Sequence, residues 1–209
     1  MSEQDVVAAP TSASNSAWAE FRTPFTMQEL KRFCDEDVER LFRINPYLEF
    51  KKWEKTGENQ YHVIGKNISH GTDNHFEFED VLTVKEVDDG VLVSYQDSLK
   101  KSTLFKLEPL ENVSKMSIID EYVDVGEEEI KARENEVDRS LTIWGEYLLR
   151  YMMTWKKWSW ISPWRWYMRR VWQPMKPMSR RISYMLIWIT IFEIALIALG
   201  VAIYFAEYA

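Results

Sequence analysis

The sequence predicts an α+β domain, a curved antiparallel sheet around a long C-terminal helix, followed by a Trp-rich interfacial segment and one transmembrane helix. Three observations carry this prediction. Alternating segments follow one another between residues 47 and 122 at spacings of about ten residues, the mark of an antiparallel sheet. A helical apolar stripe then runs from Ile130 to Trp155. Last, Ile182–Phe205 is an apolar run broken by a single charge, Glu193.

The elements follow in order. Met1 to Ser16 is small, polar and acidic and reads as a disordered tail. Trp18–Phe25 is extended. Thr26 with Glu29 three residues on forms a capping box. It opens a helix over Met27–Cys34, with a second over Glu36–Ile44, and Asn45-Pro46 ends them. Strands are predicted at Tyr47–Lys55, Gln60–Ser69, His75–Val87, Val91–Asp97, Ser102–Glu108 and Lys115–Tyr122. In the first, Tyr47, Glu49, Lys51 and Trp53 alternate against Leu48, Phe50 and Lys52. Asp88-Asp89-Gly90 is a hairpin turn. Glu127-Glu128-Glu129 suits a helix N-terminus, where the dipole favours negative charge. Ile130, Val137, Leu141, Trp144, Leu148, Tyr151 and Trp155 line one face of that helix. Arg133, Glu136, Arg139, Glu146 and Arg150 lie elsewhere on its surface.

Charge divides the chain. Residues 151–209 carry eight Lys/Arg against two Asp/Glu, a net of +6. The remaining 18 and 31 leave residues 1–150 at −13. So acidic a domain suits neither nucleic acid nor a flat seat on anionic lipid. The segment Tyr151–Trp172 mixes six tryptophans with basic side chains; Pro163 interrupts it, and Pro174 and Pro177 break the chain again before the apolar run. Tryptophan favours headgroup depth and basic side chains reach phosphates, so the expected role is interfacial. A soluble aromatic core and a basic-aromatic nucleic-acid surface are the alternatives. The predicted anchors are Trp155, Trp158, Trp160, Trp164, Trp166, Arg169, Arg170, Trp172, Arg180 and Arg181.

Ile182–Phe205 is long enough to cross a hydrocarbon core of about 30 Å as a helix. A buried core helix is the alternative, although such helices are usually amphipathic. Lys156, Lys157, Arg165, Arg169, Arg170, Lys176, Arg180 and Arg181 precede the run and only Glu207 follows it. The expected topology is therefore single-pass in a bacterial inner membrane, with the soluble domain cytoplasmic and the C-terminus on the far side. Cys34 is the single cysteine and cannot form an internal disulfide, in keeping with that compartment. The two sequons, at Asn67 and Asn112, would not meet the glycosylation machinery there. The expected organisation is a tail (1–16), a soluble domain (17–150), the interfacial segment (151–181) and the transmembrane helix (182–206).

An extended segment, two short helices, six antiparallel strands and a long last helix resemble the START-like, or SRPBCC, superfamily over residues 17–155. Leu41-Phe42-Arg43-Ile44-Asn45-Pro46 before a Trp-bearing strand resembles its helix-to-sheet passage, and the Asp88-Asp89-Gly90 hairpin and the last helix fit the same plan. The resemblance implies a helix-grip fold with a deep cavity between sheet and last helix, which commonly receives lipids, sterols, quinones, polyketides or plant hormones. A minority of members are cyclases, hydrolases or Rieske-type oxygenase domains, and one cysteine cannot supply a Rieske site. The predicted cavity wall is Leu48, Phe50, Tyr61, Phe76, Phe78 and Leu82, with Tyr95, Phe105, Leu141, Trp144 and Leu148.

Catalytic chemistry is weakly signalled. His62, His70 and His75 with Asp73 and Asp80 match no zinc or iron spacing and read as polar loop residues. Cys34 lies on an apolar helix face with no base signalled. Asp120 and Glu121 near the end of the last strand are a candidate acid/base pair or, more commonly, solvent-facing residues. No cofactor and no metal are expected.

Glu193 is the remaining signal. A carboxyl group at mid-membrane is costly and tends to face protein or water. It shares a side with Ile197, Gly200 and Tyr204, while Ala195, Ala198, Ala202 and Ala206 form a small-residue stripe roughly opposite. Glu193, Ala198, Gly200 and Ala202 are the predicted intramembrane contacts, to a transmembrane partner or a second copy; the alternative is a carboxyl bonded to its own backbone. The expected function is a non-enzymatic, membrane-anchored module that holds a hydrophobic ligand such as a lipid or quinone. The alternatives are an accessory subunit of a respiratory or transport complex, and an enzyme acting on a lipid or polyketide. Membrane lipids are expected partners and nucleic acid is not.

Overall fold

A computed structural model of the chain describes residues 6–10, 16–69, 75–123 and 140–208. The chain divides at Gln173/Pro174 into two compact units. Unit 1 contains an eight-stranded sheet, β1 (Val6–Pro10), β2 (Ser16–Thr23), β3 (Leu48–Lys55), β4 (Gln60–Asn67), β5 (Phe76–Val87), β6 (Gly90–Tyr95), β7 (Lys100–Pro109) and β8 (Ser114–Tyr122). The spatial order is β1-β2-β8-β7-β6-β5-β4-β3, and every neighbouring pair is antiparallel. The sheet is thus a meander, β3 through β8, extended at its end by the two strands that precede it in sequence.

Helices α1 (Met27–Glu36) and α2 (Val38–Arg43) connect β2 to β3. The capping box is present: Glu29 N–H donates to Thr26 Oγ1 at 3.4 Å, and Thr26 N–H to Glu29 Oε2 at 2.8 Å. Helix α3 (Leu141–Trp158) buries Leu141, Trp144, Leu148 and Tyr151 of the predicted stripe, and Met152 beside them, while Trp155 is half-buried. Asn45, where α2 ends, donates to Ser140 Oγ at 3.0 Å and so ties the helix-to-sheet passage to the start of α3. The first turns predicted for the long helix, with Glu127, Ile130, Arg133, Glu136, Val137 and Arg139, lie outside the described residues.

Two expectations change. Val6–Pro10, placed in a disordered tail, pairs with Ala17–Phe21 of β2; backbone groups on a sheet edge accept a strand of small residues that carries no pattern of its own. In β3 the simple alternation fails. A bulge between Phe50 and Lys52 places Phe50 opposite Gly65 and Trp53 opposite Val63, two positions on the same face of β4. Phe50 and Trp53 therefore point the same way, with ring centroids 4.9 Å apart.

After α3, Pro163 sits in the first turn of α4 (Ser162–Tyr167), where its missing N–H costs nothing. A π-helical turn, Met168–Trp172, follows. Unit 2 is dominated by α5 (Pro177–Tyr208). Its segment Pro177–Glu207 is long and apolar enough to cross a membrane, and none of its most apolar stretch is buried.

Candidate functional site

The interior between α3 and the sheet is filled, not hollow. Trp144 is 0% exposed. Its ring lies 5.5 Å from Phe105 and 5.4 Å from Phe42, and its indole N–H donates to the Leu41 carbonyl at 2.8 Å. Phe42 meets Phe105 edge-on at 5.6 Å. Three rings in mutual contact close the centre of the domain.

What remains is a cavity of about 70 Å³ towards the β3–β6 side. Its walls are mainly aromatic and aliphatic. Six predicted residues line it: Leu48, Phe50, Phe76, Phe78, Leu82 and Tyr95. Five predicted wall residues do not. Phe105, Trp144, Leu141 and Leu148 are consumed in core packing, and Tyr61 lies against Trp53 with centroids 5.9 Å apart. Outside β3 the strand faces follow simple alternation, with Tyr61, Val63 and Gly65 on one face. The error was in depth: the large rings that point inward fill the space they were expected to line.

The other end of the cavity is polar, which the sequence did not signal. Asp80, Ser98 and Lys100 line it. Asp80 is buried and caps the β6–β7 turn. It accepts from Gln96 N–H at 2.9 Å and Asp97 N–H at 3.1 Å, and from the Ser98 hydroxyl. Lys100 Nζ lies 2.5 Å from Asp120 Oδ2. Thr103 donates to Asp120 Oδ1 at 2.6 Å and shares a 3.0 Å hydrogen bond with Tyr95 OH. Burying a charge is costly, and pairing and hydrogen bonds offset that cost here. Only the turn geometry and the β7–β8 register bring these groups together.

The remaining candidates resolve as follows. Asp120 points inward and Glu121 outward, as adjacent strand residues must, so they do not form a pair. Glu121 instead accepts from Ser102 Oγ at 3.1 Å. His62 Nε2 is 2.7 Å from Glu79 on the outer face, and His75 is exposed. His70 and Asp73 lie outside the described residues. Among the described residues no cluster of three metal-ligating side chains occurs. Cys34 is buried, and burial pushes its thiol up to about 12, so at neutral pH it is a core thiol and not a nucleophile.

The Trp-rich segment splits in two. Trp155, Trp164 and Trp172 pack onto the body of unit 1. Trp155 stacks on Tyr151 at 5.9 Å, Trp164 meets Trp155 at 5.4 Å, and Trp172 meets Tyr151 at 5.3 Å. Trp158, Trp160 and Trp166 are 41%, 77% and 63% exposed. Arg169 bonds Glu36 of α1 at 2.8 Å, and Arg170 is exposed. Arg180 and Arg181 lie in the first turns of α5. Glu193, Ala198, Gly200 and Ala202 are exposed along it, and a Cβ at Gly200 would meet nothing.

An antiparallel sheet with two short helices after its first meander-pairing strand and a long helix after its last is the START-like, helix-grip architecture, and this chain has it. No family model and no curated protein matches the sequence. Among solved structures, the chain is similar to a protein from Arthrobacter aurescens (18% identity, 69% of this chain and 92% of that one, TM-score 0.46). It is similar to human StAR-related lipid transfer protein 5 (10%, 74% and 89%, TM-score 0.41). A polyketide-cyclase-like protein from Corynebacterium glutamicum is a third (16%, 72% and 96%, TM-score 0.40). These are likenesses of chain path; the assignment rests on strand order and helix placement.

Proposed function

We propose that this chain is a membrane-tethered, non-enzymatic START-like module that holds a small hydrophobic group at the cytoplasmic face of its membrane. The observation that carries the reading is the 70 Å³ cavity, with apolar walls on one side and Asp80, Ser98 and Lys100 on the other. Sites for drug-sized ligands run to about 300–1,000 Å³, and an apolar cavity of about 150 Å³ holds benzene. The cavity therefore suits a chain end or a part of a ring, with the rest of the molecule outside. The non-enzymatic part is supported by the use of its polar groups: Asp80 caps a turn and Lys100 neutralises Asp120. The tether is α5, and the basic residues before it favour the cytoplasmic side for unit 1.

The test is solvent extraction and mass spectrometry of the full chain purified in mild detergent. One hydrophobic compound in near-stoichiometric amount is expected. Only detergent and bulk lipid, in the proportions of the source membrane, would sink the reading.

A second reading is an accessory subunit of a larger membrane assembly, with the START-like domain structural. The Phe42–Phe105–Trp144 plug favours it, as does Glu193 within an apolar helix. Size analysis in mild detergent separates the two. A larger species that Glu193→Leu dissociates supports the assembly; a monomer unchanged by that substitution removes it.

A further inference from the structure

A second concavity lies between α1 and the α3–α4 corner, an open cleft of about 630 Å³. Four cations reach it: Arg32 from α1, Lys156 from α3, Arg165 from α4 and Arg169 from the π-helical turn. Two carboxylates, Glu29 and Glu36, stand among them, leaving a formal excess of two positive charges. The Trp155 ring is part of the lining. The Arg169 guanidinium centre is 5.5 Å from that ring. The Arg40 guanidinium, buried in the body of unit 1, is 5.2 Å from it. Arg40 donates to the Phe33 carbonyl, while its Nε and Nη1 have no hydrogen-bond partner among the described residues. A buried cation without a carboxylate raises the potential of the whole corner.

A salt-bridged seam is the simpler account, and it explains only part of the cleft. Lys156 is 3.3 Å from Glu29, and Glu36 is 2.8 Å from Arg169 and 3.4 Å from Arg32. These pairs are exposed, where ion pairs add little stability and exchange readily. Arg165 has no ion pair or hydrogen bond from its side chain among the described residues. Guanidinium groups that converge on an open volume match the oxygens of a phosphate ester better than one carboxylate matches two arginines. The flanking residues of the chain, Trp158, Trp160 and Trp166, are exposed tryptophans, the side chains of the headgroup layer.

We propose that this cleft binds the phosphate of an anionic phospholipid headgroup, with Arg32, Lys156, Arg165 and Arg169 as its ligands and Trp155 beside it. The proposal rests on the reading that α5 is embedded in a bilayer. Binding draws Arg169 and Arg32 away from Glu36 and gives Arg165 a partner.

The experiment is native mass spectrometry of the full chain in a neutral detergent with equal amounts of phosphatidylglycerol and phosphatidylcholine. Wild-type protein retains phosphatidylglycerol preferentially. Arg165→Gln, which breaks no ion pair or hydrogen bond among the described residues, lowers that preference about fivefold, and Arg165→Gln with Arg169→Gln about 25-fold, the scale of one and two cations near an anionic surface. Glu36→Gln frees two guanidiniums and leaves the preference equal or greater. Equal retention of both lipids, or a preference that survives the double substitution, overturns the proposal. So does a preference lost in Glu36→Gln, which marks a structural seam. Glycerol 3-phosphate competing as well as the lipid overturns the headgroup as source and leaves a soluble phosphate ester. A protein extracted from membranes by alkaline carbonate fails the anchoring reading instead, so the two failures are distinguishable.

Discussion

Trp144 is the residue on which the packed interior depends, and its replacement tests that packing directly. In Trp144→Ala the core loses a fully buried indole and its contacts with Phe42 and Phe105. Core Trp→Ala changes cost about 3–5 kcal/mol. The Leu41 carbonyl also loses its donor, and an unpaired buried acceptor adds about 1–3 kcal/mol. The sum approaches the whole stability of a typical domain, about 5–15 kcal/mol. Trp144→Phe is the milder probe: it keeps a ring against Phe42 and Phe105 and loses chiefly the N–H, for about 1–3 kcal/mol. The assay is urea unfolding of the full chain in mild detergent, followed by far-UV circular dichroism, with α5 as a constant background. Phe42 touches Trp144 on one side and lines the small cavity on the other, so the alanine variant also enlarges that cavity. Uptake of an apolar fluorescent dye is expected to rise over wild type. A loss below about 1 kcal/mol for Trp144→Ala, with dye uptake unchanged, would refute a centre filled by Trp144.

Three further outcomes are expected. Gly90 has φ +154° and a Cβ there would lie 1.9 Å from the Phe105 carbonyl oxygen, so Gly90→Ala destabilises unit 1 by more than about 2 kcal/mol in the same urea assay. Glu108 lies 2.8 Å from Lys106 and 2.6 Å from Lys115, and their hydrogen bonds hold its carboxyl down at about 2. Because that value is depressed, its contribution is complete above the usual carboxylate range and lost as pH falls from about 5 towards 2. Solvent screening keeps it below about 1 kcal/mol, and Glu108→Gln should flatten that limb of the pH–stability curve by the same amount. Cys34 should resist alkylation at pH 8 and react only on the unfolding time scale. Its raised value means a neutral thiol is favoured in the fold, a contribution lost only as pH rises from the ordinary thiol range towards 12. Rapid stoichiometric labelling in the absence of denaturant is the contrary result.

Much of the architecture was legible because it is written locally. The capping box at Thr26 and Glu29, the turn at Asp88-Asp89-Gly90 and the alternation in β4 to β8 depend on residues within a few positions of one another. Predicted strand bounds fall within two residues of the observed ones for most of the sheet. The β3 bulge was not legible. It begins opposite the cross-strand neighbour Gly65, where a Cβ would meet the Glu49 carbonyl oxygen at 2.7 Å and the Phe78 ring at 2.8 Å. The polar end of the cavity was hidden for a similar reason. Asp80 and Lys100 look like surface residues until the β6–β7 turn and the Asp120 side chain are set around them.

Periodicity and composition were enough to specify the α+β order, the long last helix of the domain and an apolar helix of membrane-spanning length. Those properties come from the sequence spacing of apolar groups and from backbone preferences over a few residues. The volume left inside the domain, the division of the tryptophans into packed and exposed sets and the gathering of four cations and Trp155 around one cleft were not determined there. They arise from side chains separated by tens of residues that compete for the same space. A ring that points inward is compatible with either a wall or a plug, and here the contact of Phe42, Phe105 and Trp144 makes it a plug.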